Sequence, residues 1–276
     1  MRTILPIYIA ILLALISGCA KVPAGGQPIY LHIDSASLAE DGPAYGSSSS
    51  RIPDTWVETG SQDLGAYEAP VNIPILATGD VPILLSAGIY DNGIISSRAV
   101  YPFYRPDTFT LHHVTAGQTY TYHPVYHYFA NTKFALQQDF EVSKGFTNLV
   151  QDANGYEGKC GAITLQAQDT VILSEQGNGK VINTNGREAY VEMNYRMSSD
   201  KLYCKVGLEI ISHGVMSYYT LIDLKPTSEW KKVYLNFSNT IGNNRDCEFR
   251  IFFAPSKDAG QEATMYVDNV KLLYFD

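Results

Sequence analysis

The chain has 276 residues, with 20 Lys+Arg against 28 Asp+Glu, a net charge of −8 and 45% hydrophobic residues. That length gives one large or two ordinary domains, and an acidic balance without a basic stripe excludes a nucleic-acid partner. Its 20 Tyr, 22 Gly and 13 Pro favour strands and tight turns over helices, so the predicted fold class is all-β.

The chain opens with Met1-Arg2-Thr3, an apolar run over residues 4–16, then Ser17-Gly18-Cys19. A charged start, a short apolar core and small residues before a cut site make a secretory signal. The run is shorter than the roughly 20 residues a helix needs to cross about 30 Å of hydrocarbon. Ile16-Ser17-Gly18-Cys19 resembles a lipobox, which implies cleavage before Cys19 and lipid on its thiol. Residues 1–18 are then a lipoprotein signal peptide and 19–28 a lipidated tether, flexible through Pro23 and Gly25-Gly26. More than one acyl chain anchors stably, so a membrane partner is expected through the anchor. The resemblance points to an outer membrane. No acidic cluster follows Cys19 to say which side is faced.

Residues 29–130 read as an N-terminal β-sandwich. Ile29, Leu31 and Ile33 share one strand face, and Trp56-Val57-Glu58-Thr59 starts another strand. Further strands fall at 73–76, 81–89, 108–114 and 119–128, and Asn92-Gly93 signals a type I′ turn. Short strands with turn signals every 8–12 residues suggest a sandwich. Val57-Glu58-Thr59, Leu64-Gly65-Ala66-Tyr67 and the apolar-proline stretch to Leu76 resemble PEGA-like or carboxypeptidase-regulatory-like modules, which are non-catalytic. The stretches from Ile89 to Ile94 and from Arg98 to Tyr104 are similar to segments of Bacteroidota lipoproteins.

Residues 131–276 alternate more cleanly. Strands are predicted at 135–142, 160–165, 170–173, 189–196, 202–211, 216–224, 231–237, 247–254 and 264–274. Cys204, Val206, Leu208 and Ile210 share a face, as do Cys247, Phe249, Ile251 and Phe253. One-sided strands need two sheets packed face to face. Asp139-Phe140-Glu141, Trp230-Lys231-Lys232-Val233-Tyr234-Leu235 and Tyr266-Val267-Asp268-Asn269-Val270-Lys271-Leu272 resemble carbohydrate-binding-module or galactose-binding-like jelly rolls. That resemblance implies a jelly roll. It also makes Glu141 and Asp268 the candidate pair for a structural calcium, the one cofactor expected. Calcium takes 6–8 oxygen ligands, so the pair would need carbonyls beside it.

Three cysteines remain beyond the anchor. Cys204 and Cys247 both face the inferred core and are the first candidate disulfide; pairs with Cys160, or three reduced thiols, stay open. His123 and His127 alternate with tyrosines. As strand residues four apart they stand about 13 Å from each other, too far for one metal ion, and only cross-strand pairing with His112 or His113 could build a site. The Ser-x-x-Lys matches at Ser198 and Ser228 lie at strand edges or turns and lack the companion motifs of a serine acylase. No other hydrolase, P-loop or dinucleotide signature is present. Trp56, Tyr104, Tyr218, Tyr219 and Trp230 are the candidate binding-surface residues, as stacking platforms for sugars or anchors for a protein. The expectation is a non-catalytic outer-membrane lipoprotein serving as an accessory or scaffold subunit of a protein assembly. The alternative is a glycan-binding lipoprotein that uses its C-terminal jelly roll.

Overall fold

A computed structural model describes residues 26–60 and 62–276. The predicted signal peptide and Cys19 lie outside them. No helix among the described residues is long and apolar enough to cross a membrane.

The described residues are nearly all β, with one short helix among them, Ser238–Asn243. In the first half, Ile29–Ile33 pairs with Val71–Ile75 and Thr119–Thr121. A second sheet orders Gln62–Glu68, Asp54–Thr59, Gly79–Tyr90 and Arg98–Val100, with Asp107–Val114 also paired to Gly79–Tyr90. Period-two alternation points Ile29, Leu31, Ile33, Val57, Val81, Ile83 and Leu85 into one core. The predicted strand over 119–128 is two strands, Thr119–Thr121 and Val125–Tyr128. Pro124 has no N–H to continue the ladder.

The second half is a sandwich of two antiparallel sheets. One is built on the long strand Ala263–Tyr274, flanked by Ala189–Met197 on one side and by Cys160–Leu165 and Lys133–Gln138 on the other. Lys231–Asn236 completes that side beside Ala189–Met197. The facing sheet orders Ser174–Glu175, Glu248–Ser256, Tyr203–Ser212 and Val215–Leu224. Val191, Met193, Leu208, Ile251, Phe253 and Leu272 are among the residues that fill the space between. The all-β sandwich expected from the alternation is what forms.

The two halves meet in a third core. Tyr101, Phe103, Tyr104, Tyr126 and Tyr128 of the first half pack with Tyr190, Tyr234, Leu273 and Phe275 of the second. They cover the outer face of the sheet built on Ala263–Tyr274. Ionic groups are buried there. Glu192 accepts hydrogen bonds from the Tyr101 hydroxyl at 2.6 Å and the Tyr128 hydroxyl at 2.9 Å. The Lys232 ammonium stands 3.3 Å from Glu192. Lys271 donates to the Ser47 carbonyl at 2.7 Å and the Tyr128 hydroxyl at 3.0 Å. Burial opposes ionisation of Glu192, but the two ammoniums together with the Tyr101 and Tyr128 hydroxyls hold the carboxyl below its usual range. Burial lowers Lys271 to about 8 and lowers Lys232 as well.

Asn92 and Gly93 take positive φ, 55° and 68°, as a type I′ turn requires. The turn sits inside a longer connection, and the Asn92 N–H reaches across to the Tyr234 carbonyl of the second half at 2.9 Å.

Two expectations are corrected here. Tyr104 is 3% exposed within the shared aromatic core and offers no binding surface. Cys204 and Cys247 do not form a disulfide; Cys160, Cys204 and Cys247 are all free and buried. Both Cys204 and Cys247 belong to the core, as read, but the antiparallel register sets Cys204 opposite Pro255. Cys247 lies eight residues back from Pro255, on the order of 26 Å along a strand.

Candidate functional site

The outer face of the second sheet is left open by the first half. Its residues alternate with the core set. Leu208 and Ile210 point inward with Phe249 and Ile251; Gly207, Glu209, Arg250 and Phe252 therefore share the outward face. Glu209 stands opposite Arg250 on one side and Tyr218 on the other. In the adjacent row, Gly207 lies between Phe252 and Thr220, and Glu175 follows beyond Phe252.

Tyr218 is the centre of this face. Its ring packs edge-on against Phe252, with centroids 5.4 Å apart and planes at 84°. Its hydroxyl donates to Glu175 Oε1 on the far strand of the sheet. The side chain therefore runs across the sheet, and the residue remains 51% exposed. Gly207 makes this possible. A Cβ there would meet the Phe252 ring at 2.6 Å and the Tyr219 carbonyl at 2.1 Å. The hydrogen bond to Glu175, then burial, pushes the Tyr218 phenol up to about 12.

Charged groups frame the ring. Arg250 binds Glu248 at 2.7 Å and lies 3.6 Å from Glu209 Oε2. Glu209 is 2% exposed, and that oxygen has no hydrogen-bond partner among the described residues. Burial raises its carboxyl above the usual range. Lys205 and Asp223 pair at 2.9 Å toward the other end of the face. The edge strand Val215–Leu224 is set by a two-residue turn, His213 and Gly214, both at positive φ.

The other sequence-predicted residues scatter. Tyr219 points to the opposite side from Tyr218, yet an edge strand leaves it 43% exposed. Trp56 is half-buried on the first half's sheet. Trp230 is half-buried beneath the Arg196 guanidinium, 5.2 Å from its ring, and edge-on to Tyr156. It belongs to the opposite sheet's margin, so it does not join Tyr218. Sequence reading missed Glu175, Glu209, Arg250 and Phe252. The signal was present: Glu209 and Arg250 each interrupt a run of core residues at alternate positions.

Glu141 and Asp268 are both engaged by the loop that precedes Cys160. Asp268 Oδ2 accepts the N–H groups of Tyr156 at 2.9 Å and Glu157 at 3.1 Å, and Glu141 accepts that of Lys159 at 2.6 Å. These are donors where a calcium ion would need oxygens. Burial, opposed by those N–H groups, raises Asp268 to about 6. No group of three or more His, Cys, Asp or Glu among the described residues is arranged to hold a metal ion. His127 pairs with Asp41 at 2.7 Å, and His112 and His113 share Asp80 at 3.0 and 3.6 Å.

No family model and no curated protein matches the chain. Solved structures do. One, described as carbohydrate-binding modules from the β-sandwich superfamily, is 12% identical; the match covers 91% of this chain and 99% of that one, with a TM-score of 0.40. A family 11 carbohydrate-binding module from Clostridium thermocellum, in complex with a β-1,3-1,4-mixed-linked tetrasaccharide, is 15% identical over 52% of this chain and 96% of that one, at 0.40. A xylan-binding domain from Paenibacillus barcinonensis is 14% identical over 52% and 96%, at 0.39.

Proposed function

We propose that the chain is a non-catalytic glycan-binding lipoprotein whose ligand lies on the open face around Tyr218. The observation that carries this is the Tyr218 ring itself, exposed and pre-positioned by Glu175 and Phe252. A sugar ring has an apolar C–H face and a rim of hydroxyls. A fixed aromatic plane matches the first, and a few placed polar groups match the second. Glu175, Arg250 and Thr220 supply those groups. Fixing the ring in advance removes part of the ordering cost of binding. No observation on the described residues favours the accessory-subunit reading over this one.

A glycan array followed by calorimetry tests it. The expected result is binding to at least one oligosaccharide, weakened about tenfold or more by Tyr218→Ala, or about 1.4 kcal/mol. No hit on the array, or a hit that Tyr218→Ala leaves intact, sinks the proposal. The membrane anchor at Cys19 is proposed from the sequence, with the outer membrane as its site. Labelling with a palmitate analogue should mark the chain and be lost in Cys19→Ser; labelling that persists there removes the anchor.

A further inference from the structure

A groove of about 650 Å³ lies where the first half meets the edge of the second. Its origin is a strand edge only partly covered. Lys231–Asn236 is paired on one side with Ala189–Met197. On its other side the first half reaches it at the bridge between Asp91 and Tyr234. The stretch Lys231–Val233 is left beside open space, and the groove forms there.

Its walls are of two kinds. Tyr195, Leu224 and Val233 line it and belong to the sandwich core, so its floor is the margin of that core. Ile222 packs against the same core, and Ile94 and Ile95, both exposed, line the groove from the 91–97 connection. The charged lining is almost all basic. Arg51, Lys225 and Lys231 are exposed and have no carboxylate partner among the described residues. Asp223, the one acid in the lining, is taken up by Lys205 at 2.9 Å. Behind the wall, Lys232 and Lys271 are buried against Glu192, with Glu157 near both and Asp268 near Lys232.

We propose that this groove binds an amphipathic organic anion, a carboxylate carried on an acyl chain. The chain would lie against Ile94, Ile95, Ile222 and Val233, and the carboxylate would meet Arg51, Lys225 and Lys231. A volume of this size suits a small organic ligand with a mostly apolar body and a few fixed polar contacts. A neutral sugar would desolvate its hydroxyls against the isoleucines. A small inorganic anion would leave them wet. The site is separate from the Tyr218 face: Ile222 lies four residues beyond Tyr218, on the order of 13 Å along the strand.

The test uses the full chain carrying Cys19→Ser, so that no acyl chain of its own competes. Carboxyl-labelled decanoate is titrated and followed by NMR and calorimetry, with 1-decanol and acetate as the two half-ligands. One-to-one saturable binding of decanoate is expected, with each half-ligand weaker by tenfold or more. Arg51→Gln with Lys231→Gln should weaken decanoate tenfold or more, as should Ile95→Asp, with an unchanged circular dichroism spectrum. Tyr218→Ala should leave decanoate binding unchanged, whatever it does to glycans. The proposal is overturned if decanoate does not saturate, if decanol binds as tightly, if the charge variant binds normally, or if Tyr218→Ala removes binding.

Discussion

The sandwich of the second half has two outer faces of similar make, and they meet opposite fates. Each carries acids and bases at the outward positions of its strands: Glu192, Lys232 and Lys271 on one, Glu209, Glu248 and Arg250 on the other. The first is covered by the tyrosine-rich surface of the first half, and its ions are sealed into a hydrogen-bonded cluster. The second faces solvent, and its ions frame an exposed ring. An outward polar residue therefore has no fixed meaning until the neighbour is known. In one place it is part of an internal joint, in the other part of a surface that can still bind.

The comparison breaks most readily at its two glutamates. Glu192→Gln removes the carboxylate that the buried Lys232 and Lys271 share. Removing one partner from a buried ion cluster costs about 3–5 kcal/mol, so the urea midpoint should fall sharply with little change in slope. Glu209→Gln should behave differently. Its carboxyl is already raised by burial, and one of its oxygens has no hydrogen-bond partner. Losing that charge should change stability by about 1 kcal/mol or less, in either direction. Equal losses in the two variants would mean that the covered and open faces are not energetically distinct.

Alkali sharpens the same contrast. Lys271 releases its proton at about 8 in the fold, against 10.5 in the unfolded chain. From about pH 8 upward the unfolded chain holds more protons, so stability rises with pH. It is lost again as pH falls back through about 8. Tyr101, Tyr104 and Tyr128 keep their protons well above 10.0 in the fold and act in the opposite sense beyond that point. Lys232, lowered as well, acts in the same sense as Lys271, and the buried thiols of Cys160 and Cys204, raised above 9.0, act against both from about pH 9, so between about pH 8 and 10 the Lys271 contribution is read from the difference between two curves. Thermal unfolding across that window should show a rise that Lys271→Met flattens. Parallel curves for the two proteins would remove Lys271 from the account.

Much of the fold is legible in alternation. Cys204 to Ile210 and Cys247 to Phe253 show their inward faces directly, because period two is a property of each strand alone. Register is a property of a pair, which is why the shared face of Cys204 and Cys247 did not place them together. Burial by a distant segment is harder still. Tyr104 meets Tyr234 across the joint, with hydroxyls 3.5 Å apart and 130 positions between them in the chain. Nothing local to Tyr104 tells it from an exposed tyrosine. The open site was half visible: Tyr218 and Tyr219 had to fall on opposite sides, but Glu175 reaches Tyr218 across two intervening strands that only the fold sets in order.

The smallest expected effect separates the two faces by role. Tyr218 contributes one hydrogen bond to Glu175 and one edge contact with Phe252, both at a half-exposed ring. Its core-side neighbours Leu208 and Ile210 are buried by the facing sheet and do not depend on it. Tyr218→Ala should therefore change the urea midpoint by no more than about 1 kcal/mol in stability, as surface substitutions away from the core generally do. The same variant is expected to lose glycan binding tenfold or more. A residue that matters to binding and hardly at all to folding is what an open face should hold, whereas Glu192 should show the reverse: a large stability loss, with glycan affinity kept in whatever fraction remains folded. If Tyr218→Ala instead unfolds the sandwich, the ring is a structural cover for Glu209 and Phe252, and the two outer faces are alike after all.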